Sequence, residues 1–177
     1  PLDEKLEGYA QYLDGFKTEY HTCHCTGEKQ FDFMKKRMKA LSYLSCGETV
    51  TAGDVSVKGM PCDHGELAPD ALGLLLTMGG KRIYIMGDTA YRPDLLENPE
   101  IQGVDLLILP INGAFGNLNE EQAARVIAAL KPALAIPCHF WNFAEHGGSP
   151  DIFAREMKEV WGNDRYLLMR AGEQITL

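Results

Sequence analysis

Apolar residues recur at two different spacings along this 177-residue chain, and the two spacings distinguish helices from strands. Four segments have an apolar residue at every third or fourth position, which is the spacing of one buried helical face: 2–13, 30–41, 119–130 and 151–161. Shorter runs that alternate or are continuously apolar indicate strands at 20–26, 41–44, 55–60, 72–78, 82–86, 104–109, 133–136 and 166–169.

The order of these elements predicts a layered α/β protein with a mixed sheet. Gly79-Gly80 separates two of the predicted strands and favours a hairpin there. After that hairpin, strands and helices alternate, as they do in sheets with parallel strands. Asn119 is a suitable N-cap for the third helix. The chain has no internal repeat and no Ser/Pro-rich linker, so we expect a single domain over 1–177.

Composition and charge narrow the partners that this domain can have. The chain has 17 basic and 25 acidic residues, a net charge of −8. Nonspecific nucleic-acid binding needs a basic surface, so we expect no nucleic-acid partner. The longest apolar stretch, 71–78, is far shorter than the roughly 20 residues of a membrane helix, so we expect no membrane partner. A small-molecule substrate is the expected partner, and assembly into a homo-oligomer is left open.

The cysteines favour a reducing compartment. There are five, an odd number, and their spacing is irregular. A disulfide scaffold is usually a short chain with an even number of cysteines. We therefore expect a cytoplasmic protein with reduced thiols.

Polar residues directly follow three of the predicted strands. His64 lies in Pro61-Cys62-Asp63-His64-Gly65, Asp88 in Gly87-Asp88-Thr89, and His139 in Pro137-Cys138-His139. Strand ends of layered α/β folds are where functional groups are presented. Two imidazoles and a carboxylate suit Zn²⁺, or Mn²⁺ where oxygen ligands dominate. Each of these residues, taken alone, is more typical of a hydrogen-bonded loop residue than of a metal ligand. The three taken together make the two interpretations about equally favoured.

Two other segments carry candidate residues. The cluster His21-Thr22-Cys23-His24-Cys25 offers soft ligands, but strand alternation places at most three of them on one side, and no second Cys/His pair follows at zinc-finger spacing. A strand with incidental thiols is therefore favoured over a structural zinc site. The loop 141–150 directly follows His139, so it is expected to overhang any site there, with Phe143 packed into the core.

Taken in order, these motifs resemble the later metal motifs of the metallo-β-lactamase superfamily. The branch that is most similar contains L-ascorbate-6-phosphate lactonase. The resemblance covers about 47–150 and is carried by Gly87-Asp88-Thr89, Ile136-Pro137-Cys138-His139, Trp141-Asn142-Phe143 and Ser149-Pro150. It implies an αββα sandwich with a site for one or two metal ions, zinc or manganese, at the sheet edges.

The resemblance also implies roles for individual residues. His64 corresponds to a ligand of the first metal, Asp88 to the carboxylate that bridges the metals, and His139 to a ligand of the second metal. These three would act in catalysis through a metal-activated water. Asp63 could support His64 or be a ligand itself. The residues implied to face the substrate are Trp141, Asn142 and His146.

One motif of the family is absent. The chain has no His-x-His-x-Asp-His sequence and opens with what resembles the helix that follows it, so we expect a domain truncated at its N-terminus with part of an apolar sheet face exposed. The resemblance implies a metal-dependent hydrolase acting on a lactone or a phosphorylated sugar derivative. The alternatives are a phosphodiesterase or other hydrolase on the same fold, and an inactive partial domain that serves as a structural or interaction module.

Overall fold

The structure is a computed structural model that describes residues 4–66, 68–162 and 164–177, without the side chain of His24. Four α-helices and eight strands form within these ranges. The helices are α1 (Glu4–Asp14), α2 (Glu28–Lys35), α3 (Glu120–Leu130) and α4 (Pro150–Val160). The strands are β1 (Tyr20–Thr22), β2 (Leu41–Tyr43), β3 (Thr49–Ala52), β4 (Val55–Pro61), β5 (Leu72–Met78), β6 (Lys81–Ile85), β7 (Leu106–Pro110) and β8 (Leu134–Cys138).

Strands β3 to β8 form one mixed sheet in sequence order. Neighbouring strands from β3 to β6 are antiparallel, whereas β6, β7 and β8 are parallel. Pro61 at the end of β4 pairs with Leu72 at the start of β5, and Ile85 at the end of β6 pairs with Ile108 in β7. The C-terminal ends of β4, β6, β7 and β8 therefore lie at one edge of the sheet.

The main core lies between this sheet and the helices α3 and α4. Leu107 in β7, Ile127 in α3 and Phe153 in α4 are completely buried in one cluster. Helix α3 begins with a capping box, in which Asn119 and Gln122 accept from each other's backbone N–H groups. Side chains alternate between the two faces of a strand, so the opposite face carries the intervening residues. Several of these are aliphatic and only partly buried: Val57, Leu74, Leu76, Ile83, Ile85 and Ile108.

A second, smaller layer precedes the sheet. Strands β1 and β2 form a parallel pair, and α1 and α2 pack with them around a cluster of Ala10, Met38 and Leu41. The chain thus has the predicted α/β class, with helices and a mixed sheet in layers. None of the helices in the described ranges is long and apolar enough to cross a membrane.

The structure confirms the predicted helices α3 and α4, the β5–β6 hairpin around Gly79-Gly80, and the buried strands β7 and β8. The first helix is also present from Glu4 onwards, and the beginning of the predicted segment lies outside the described residues.

The structure differs from the prediction at two boundaries and in two short strands. The strand predicted over 20–26 ends at Thr22 and is followed by a 3-10 turn at His24–Thr26. The helix predicted over 30–41 is Glu28–Lys35, because Leu41 begins β2 instead. Strand β3 was not predicted, since its exposed Thr-rich sequence lacks an apolar face. The segment 166–169 forms one bridge, Ala135 to Tyr166, rather than a strand.

Candidate metal centre

His64, Asp88 and His139 meet at the sheet edge where β4, β6 and β8 end. Nε2 of His139 lies 3.3 Å from Oδ1 of Asp88, and Nε2 of His64 lies 3.9 Å from Oδ2. Each imidazole therefore faces a different oxygen of the same carboxylate. The Asp88 side chain remains 36% exposed, so the group is accessible from solvent.

The backbone before Asp88 requires glycine. Gly87 has φ 69°, in the left-handed region, and a Cβ there would lie 2.8 Å from the carbonyl oxygen of Leu72. This tight turn ends β6 and directs the next residue to the edge. Asn117, which is buried, donates from Nδ2 to Oδ1 of Asp88 at 3.1 Å and so fixes one carboxylate oxygen.

The backbone also turns sharply at His139. Its φ of 61° is left-handed, a conformation in which histidine is enriched among residues other than glycine. The turn directly follows β8 and aims the imidazole back across the strand end. The ring of His146 stacks on that of His139, with the centroids 4.8 Å apart. The loop after β8 therefore returns to cover the imidazole that the strand presents.

Thr89 joins three of the loops at this edge. Its hydroxyl accepts from the backbone N–H of Asp63 at 3.0 Å, and its carbonyl accepts from the N–H of Leu118 at 3.0 Å. The N–H of Ala90 donates to the carbonyl of Asp63 at 2.7 Å. These bonds hold the loops after β4, β6 and β7 in fixed relation to one another.

The carboxylate of Asp63 is held by hydrogen bonds from Arg92 and Gly65. Its Oδ2 accepts from Arg92 at 2.8 Å and its Oδ1 from the backbone N–H of Gly65 at 3.1 Å. The hydrogen bond from Arg92 holds the pKa of Asp63 below its usual range. Of the two roles open to Asp63, the geometry favours support of the loop that carries His64.

Two partly buried thiols, Cys62 and Cys138, flank the site. The Cys62 thiol donates to the carbonyl of Asp88, with Sγ 3.7 Å from the oxygen. Burial raises the pKa of Cys62 to about 12 and that of Cys138 to about 11. In the metal-free protein both thiols are therefore protonated near neutral pH.

Unsatisfied polar groups are concentrated at this edge. In the described part of the chain, six buried side-chain nitrogen or oxygen atoms have no hydrogen-bond partner, and five of them lie here. They are Nδ1 of His64, His139 and His146 and Oδ1 of Asn112 and Asn117. Buried polar atoms are normally paired, and exceptions at one place indicate a site built for a ligand.

The donor set suits a divalent cation, but it is not complete within the described residues. Among the described side chains, no group of three or more His, Cys, Asp or Glu is arranged to hold a metal ion. The geometry instead offers pairs, with one imidazole and one Asp88 oxygen on each side. Imidazole and carboxylate donors are the ligands that zinc and manganese take in proteins.

Of the three residues predicted to face the substrate, one contacts a candidate metal ligand and two are exposed in the loop. His146 lies against His139, whereas Trp141 and Asn142 are exposed in the same loop. Phe143 was predicted to pack into the core, but 64% of it is exposed, and its ring meets His146 edge-on at 5.0 Å. Residues of α4, such as Phe153, already fill the core, so no side chain of the loop at 141–150 is needed there.

The Cys/His cluster at 21–25 does not place its possible metal ligands along one continuous strand. The backbone leaves the strand at Thr22, so the expected alternation of His21, Cys23 and Cys25 does not occur. His24 has no described side chain, and the remaining members are part of no metal-binding group among the described residues.

Sequence reasoning missed Asn112, Phe115 and Asn117, which all follow β7. The signal was present, because Asn112 comes directly after a buried strand just as the other candidates do. Asparagine has no metal-ligand signature, and only the parallel pairing of β7 between β6 and β8 brings this loop to Asp88.

Comparison with known proteins places these residues in a family context. The family described as Beta-lactamase superfamily domain matches residues 9–139. A UPF0173 metal-dependent hydrolase of Bacillus velezensis is 32% identical over 169 residues, covering 95% of this chain and 67% of that protein. A UPF0173 metal-dependent hydrolase of Lysinibacillus sphaericus is 31% identical, covering 91% of this chain and 63% of that protein. The chain thus spans about two thirds of the length of these curated relatives.

Solved structures share the fold at low sequence identity. The metallo hydrolase Igni18 from Ignicoccus hospitalis superposes with a TM-score of 0.73 at 19% identity, over 94% of this chain and 72% of that one.

Proposed function

This chain belongs to the Beta-lactamase superfamily domain family, and from that premise we propose that it carries part of the catalytic centre of a metal-dependent hydrolase. The supporting observation is the concentration of unsatisfied buried polar atoms around the partly exposed carboxylate of Asp88. Relatives of similar sequence are named metal-dependent hydrolases.

In this proposal Asp88 would be shared by two divalent cations, with His64 as a ligand of one and His139 as a ligand of the other. The approach of Nε2 of His64 to Oδ2 of Asp88, and of Nε2 of His139 to Oδ1, supports this assignment. When bound, such ions lower the pKa of water to near neutrality and withdraw electrons from the bond under attack. Asn117 holds Asp88 in the bridging orientation, and the stacked ring of His146 limits the movement of His139.

One imidazole and one carboxylate oxygen per ion are fewer ligands than the three protein ligands typical of a catalytic zinc site. We propose that the His-x-His-x-Asp-His motif of the resembled family completes the coordination in the whole protein. Zinc and manganese both suit these donor atoms, and elemental analysis of the complete protein identifies which metal is bound.

For the substrate, we propose a carbonyl compound such as a lactone without a phosphate group, rather than a phosphorylated sugar. The loops at 111–118 and 139–149 contain no lysine or arginine. Arg92, the nearby cation, is held by Asp63 and Asp94 at 2.8 and 2.7 Å. A phosphate outside the reacting centre would have no free basic partner in these loops. The same lack of cations disfavours a phosphodiesterase.

The test is Asp88→Asn in the complete protein, with Glu121→Gln as the matched control. Both changes replace a carboxylate by an amide of the same size, but Glu121 lies on the exposed face of α3, paired with Arg125. Metal content is measured by elemental analysis, and hydrolysis on a panel of lactones, esters and phosphodiesters.

We expect Asp88→Asn to lose bound metal and to lower hydrolysis by more than the roughly 10–100-fold that follows loss of a residue supporting a ligand. The control should retain both. Unchanged metal content in Asp88→Asn would refute the proposed site. Metal binding by the wild type without hydrolysis of any compound would favour an interaction module instead.

A further inference from the structure

Three large aromatic side chains stand exposed in the two loops that follow β7 and β8. Phe115, Trp141 and Phe143 have 65%, 71% and 64% of their surface exposed. The rings of Phe115 and Phe143 both meet the ring of His146 edge-on, with centroids 5.4 and 5.0 Å away. His146 in turn stacks on His139, so the aromatic cluster is continuous with the proposed metal ligands.

The backbone that carries these rings is unusual. Phe115 has φ 56° and Trp141 has φ 58°, both in the left-handed region. A bulky residue rarely adopts this conformation, and such strain tends to occur where a functional site requires it. By contrast, the exposed Tyr9 and Tyr12 occupy ordinary helical positions in α1. The left-handed backbone at Phe115 and Trp141 therefore carries an energetic cost. The exposed tyrosines of α1 do not carry this cost, because their backbone is helical.

The charge of the two loops limits what these rings can bind. Neither 111–118 nor 139–149 contains lysine or arginine, and Glu145 is the single acidic residue in them. Phosphate and carboxylate groups are bound by basic side chains, which are absent here. Apolar and aromatic groups are instead bound by exposed aromatic rings in edge-to-face or offset contacts.

We propose that Phe115, Trp141 and Phe143 form an apolar subsite, which binds an aromatic or similarly planar apolar group of the substrate beside the reacting bond. This inference rests on the proposed function, because it places the reacting bond over Asp88. It narrows the substrate from carbonyl compounds in general to those with an apolar substituent next to the carbonyl.

The experiment compares two ligands that differ only in the apolar group. Benzylphosphonate and methylphosphonate carry the same metal-binding group, and only the former carries a phenyl ring. The complete protein is loaded with Zn²⁺ in a Trp161→Phe background, which leaves Trp141 as the only tryptophan of this chain. Trp141 fluorescence reports binding, and calorimetry provides a second measurement that does not depend on the fluorophore.

We expect benzylphosphonate to bind about tenfold more tightly than methylphosphonate, as one good set of aromatic contacts provides. In Phe115→Ala/Phe143→Ala the ratio of the two affinities should fall to about twofold or less. The control Tyr12→Ala removes an equally exposed ring from α1 and should retain the tenfold ratio.

The outcomes separate this inference from the proposed function. Equal affinity for the two ligands, or a tenfold ratio that survives in the double variant, overturns the apolar subsite and leaves the metal centre intact. If Zn²⁺ is not bound, or neither ligand binds the zinc-loaded protein, the proposed function fails and the subsite with it.

Discussion

Asp88 owes its orientation to the residue before it and to residues from two other loops. Gly87 permits the turn, Asn117 holds one carboxylate oxygen, and the carbonyl of Asp88 accepts from the Cys62 thiol. His64 and His139 then approach the carboxylate from different sides. A carboxylate fixed in this way loses little side-chain freedom when it binds a ligand.

The hydrogen bond from Asn117 leads to a prediction about metal affinity. We expect Asn117→Ala to weaken Zn²⁺ binding by roughly 10–100-fold, since Asp88 would lose the group that orients it. Competition with a chromogenic chelator measures the affinity. The control is Asn98→Ala, which removes an asparagine that caps a 3-10 turn away from the site. Equal affinities in both variants would show that Asn117 has only a structural role.

The partly buried thiols lead to a prediction about reactivity. Burial raises the pKa of Cys62 to about 12 and that of Cys138 to about 11, so at pH 8 the reactive thiolate is a very small fraction of each. We expect iodoacetamide to modify the exposed Cys46 well before these two. Timed labelling followed by peptide mass spectrometry measures the order in which the cysteines are modified. In guanidinium, where the protein is unfolded, the cysteines should be modified at similar rates. Rapid native labelling of Cys62 would contradict the buried placement.

At the scale of elements, the site is made by four loops that follow β4, β6, β7 and β8. The loops contact one another closely. A Cβ at Gly148 would lie 2.7 Å from Cβ of Phe140 and 3.0 Å from the carbonyl oxygen of Ile111. The loop after β8 therefore packs directly on the backbone after β7, and this contact positions His146.

Gly148→Ala tests this contact against Gly172→Ala. Both glycines have left-handed φ values, 92° and 87°, but a Cβ at Gly172 meets nothing within 4 Å. Both variants should lose about 1 kcal/mol from the unfavourable backbone conformation. We expect Gly148→Ala to lose roughly 2 kcal/mol or more, because the clash adds to it. Urea unfolding measures the difference, and equal losses would show that the loop moves away freely.

The success of prediction also varied by element. Helices α3 and α4 and the buried strands β7 and β8 were predictable, because each has a long apolar period or a continuous apolar run. The short elements were not. Strand β3 is stabilised by pairing with β4 along Thr49 to Ala52 rather than by its own pattern. Helix α2 ends at Lys35, before the predicted end at 41, because Leu41 pairs with Tyr20 in the parallel pair of β1 and β2.

At the scale of the whole molecule, one core supports the site edge. The strands that end at the candidate metal centre pack on α3 and α4 through a single cluster, in which Phe153 is completely buried against Tyr166. Loss of packing there should lower the stability of the entire sheet, because the parallel strands β6 to β8 share this face.

Phe153→Ala is therefore expected to lower the free energy of unfolding by roughly 3–5 kcal/mol through the cavity it creates. The control Ile152→Ala changes the adjacent residue of α4, which is 39% exposed, and should cost about 1 kcal/mol or less. Denaturant unfolding followed by circular dichroism measures both. A loss below about 1 kcal/mol for Phe153→Ala would mean that α4 contributes little to the core.

The sequence by itself determined the α/β class, the longer elements and three polar residues placed after buried strands, because apolar periodicity and strand ends are local properties. The structure decided which of these polar residues meet. The parallel pairing of β6, β7 and β8 brought Asp88, Asn117 and His139 together. The antiparallel pairing of β4, β5 and β6 placed the loop after β4 at the same edge, where Asp63 accepts from Arg92. The structure also exposed Phe143, which the sequence had assigned to the core. These contacts join residues that are distant along the chain, and only the tertiary fold defines their distances.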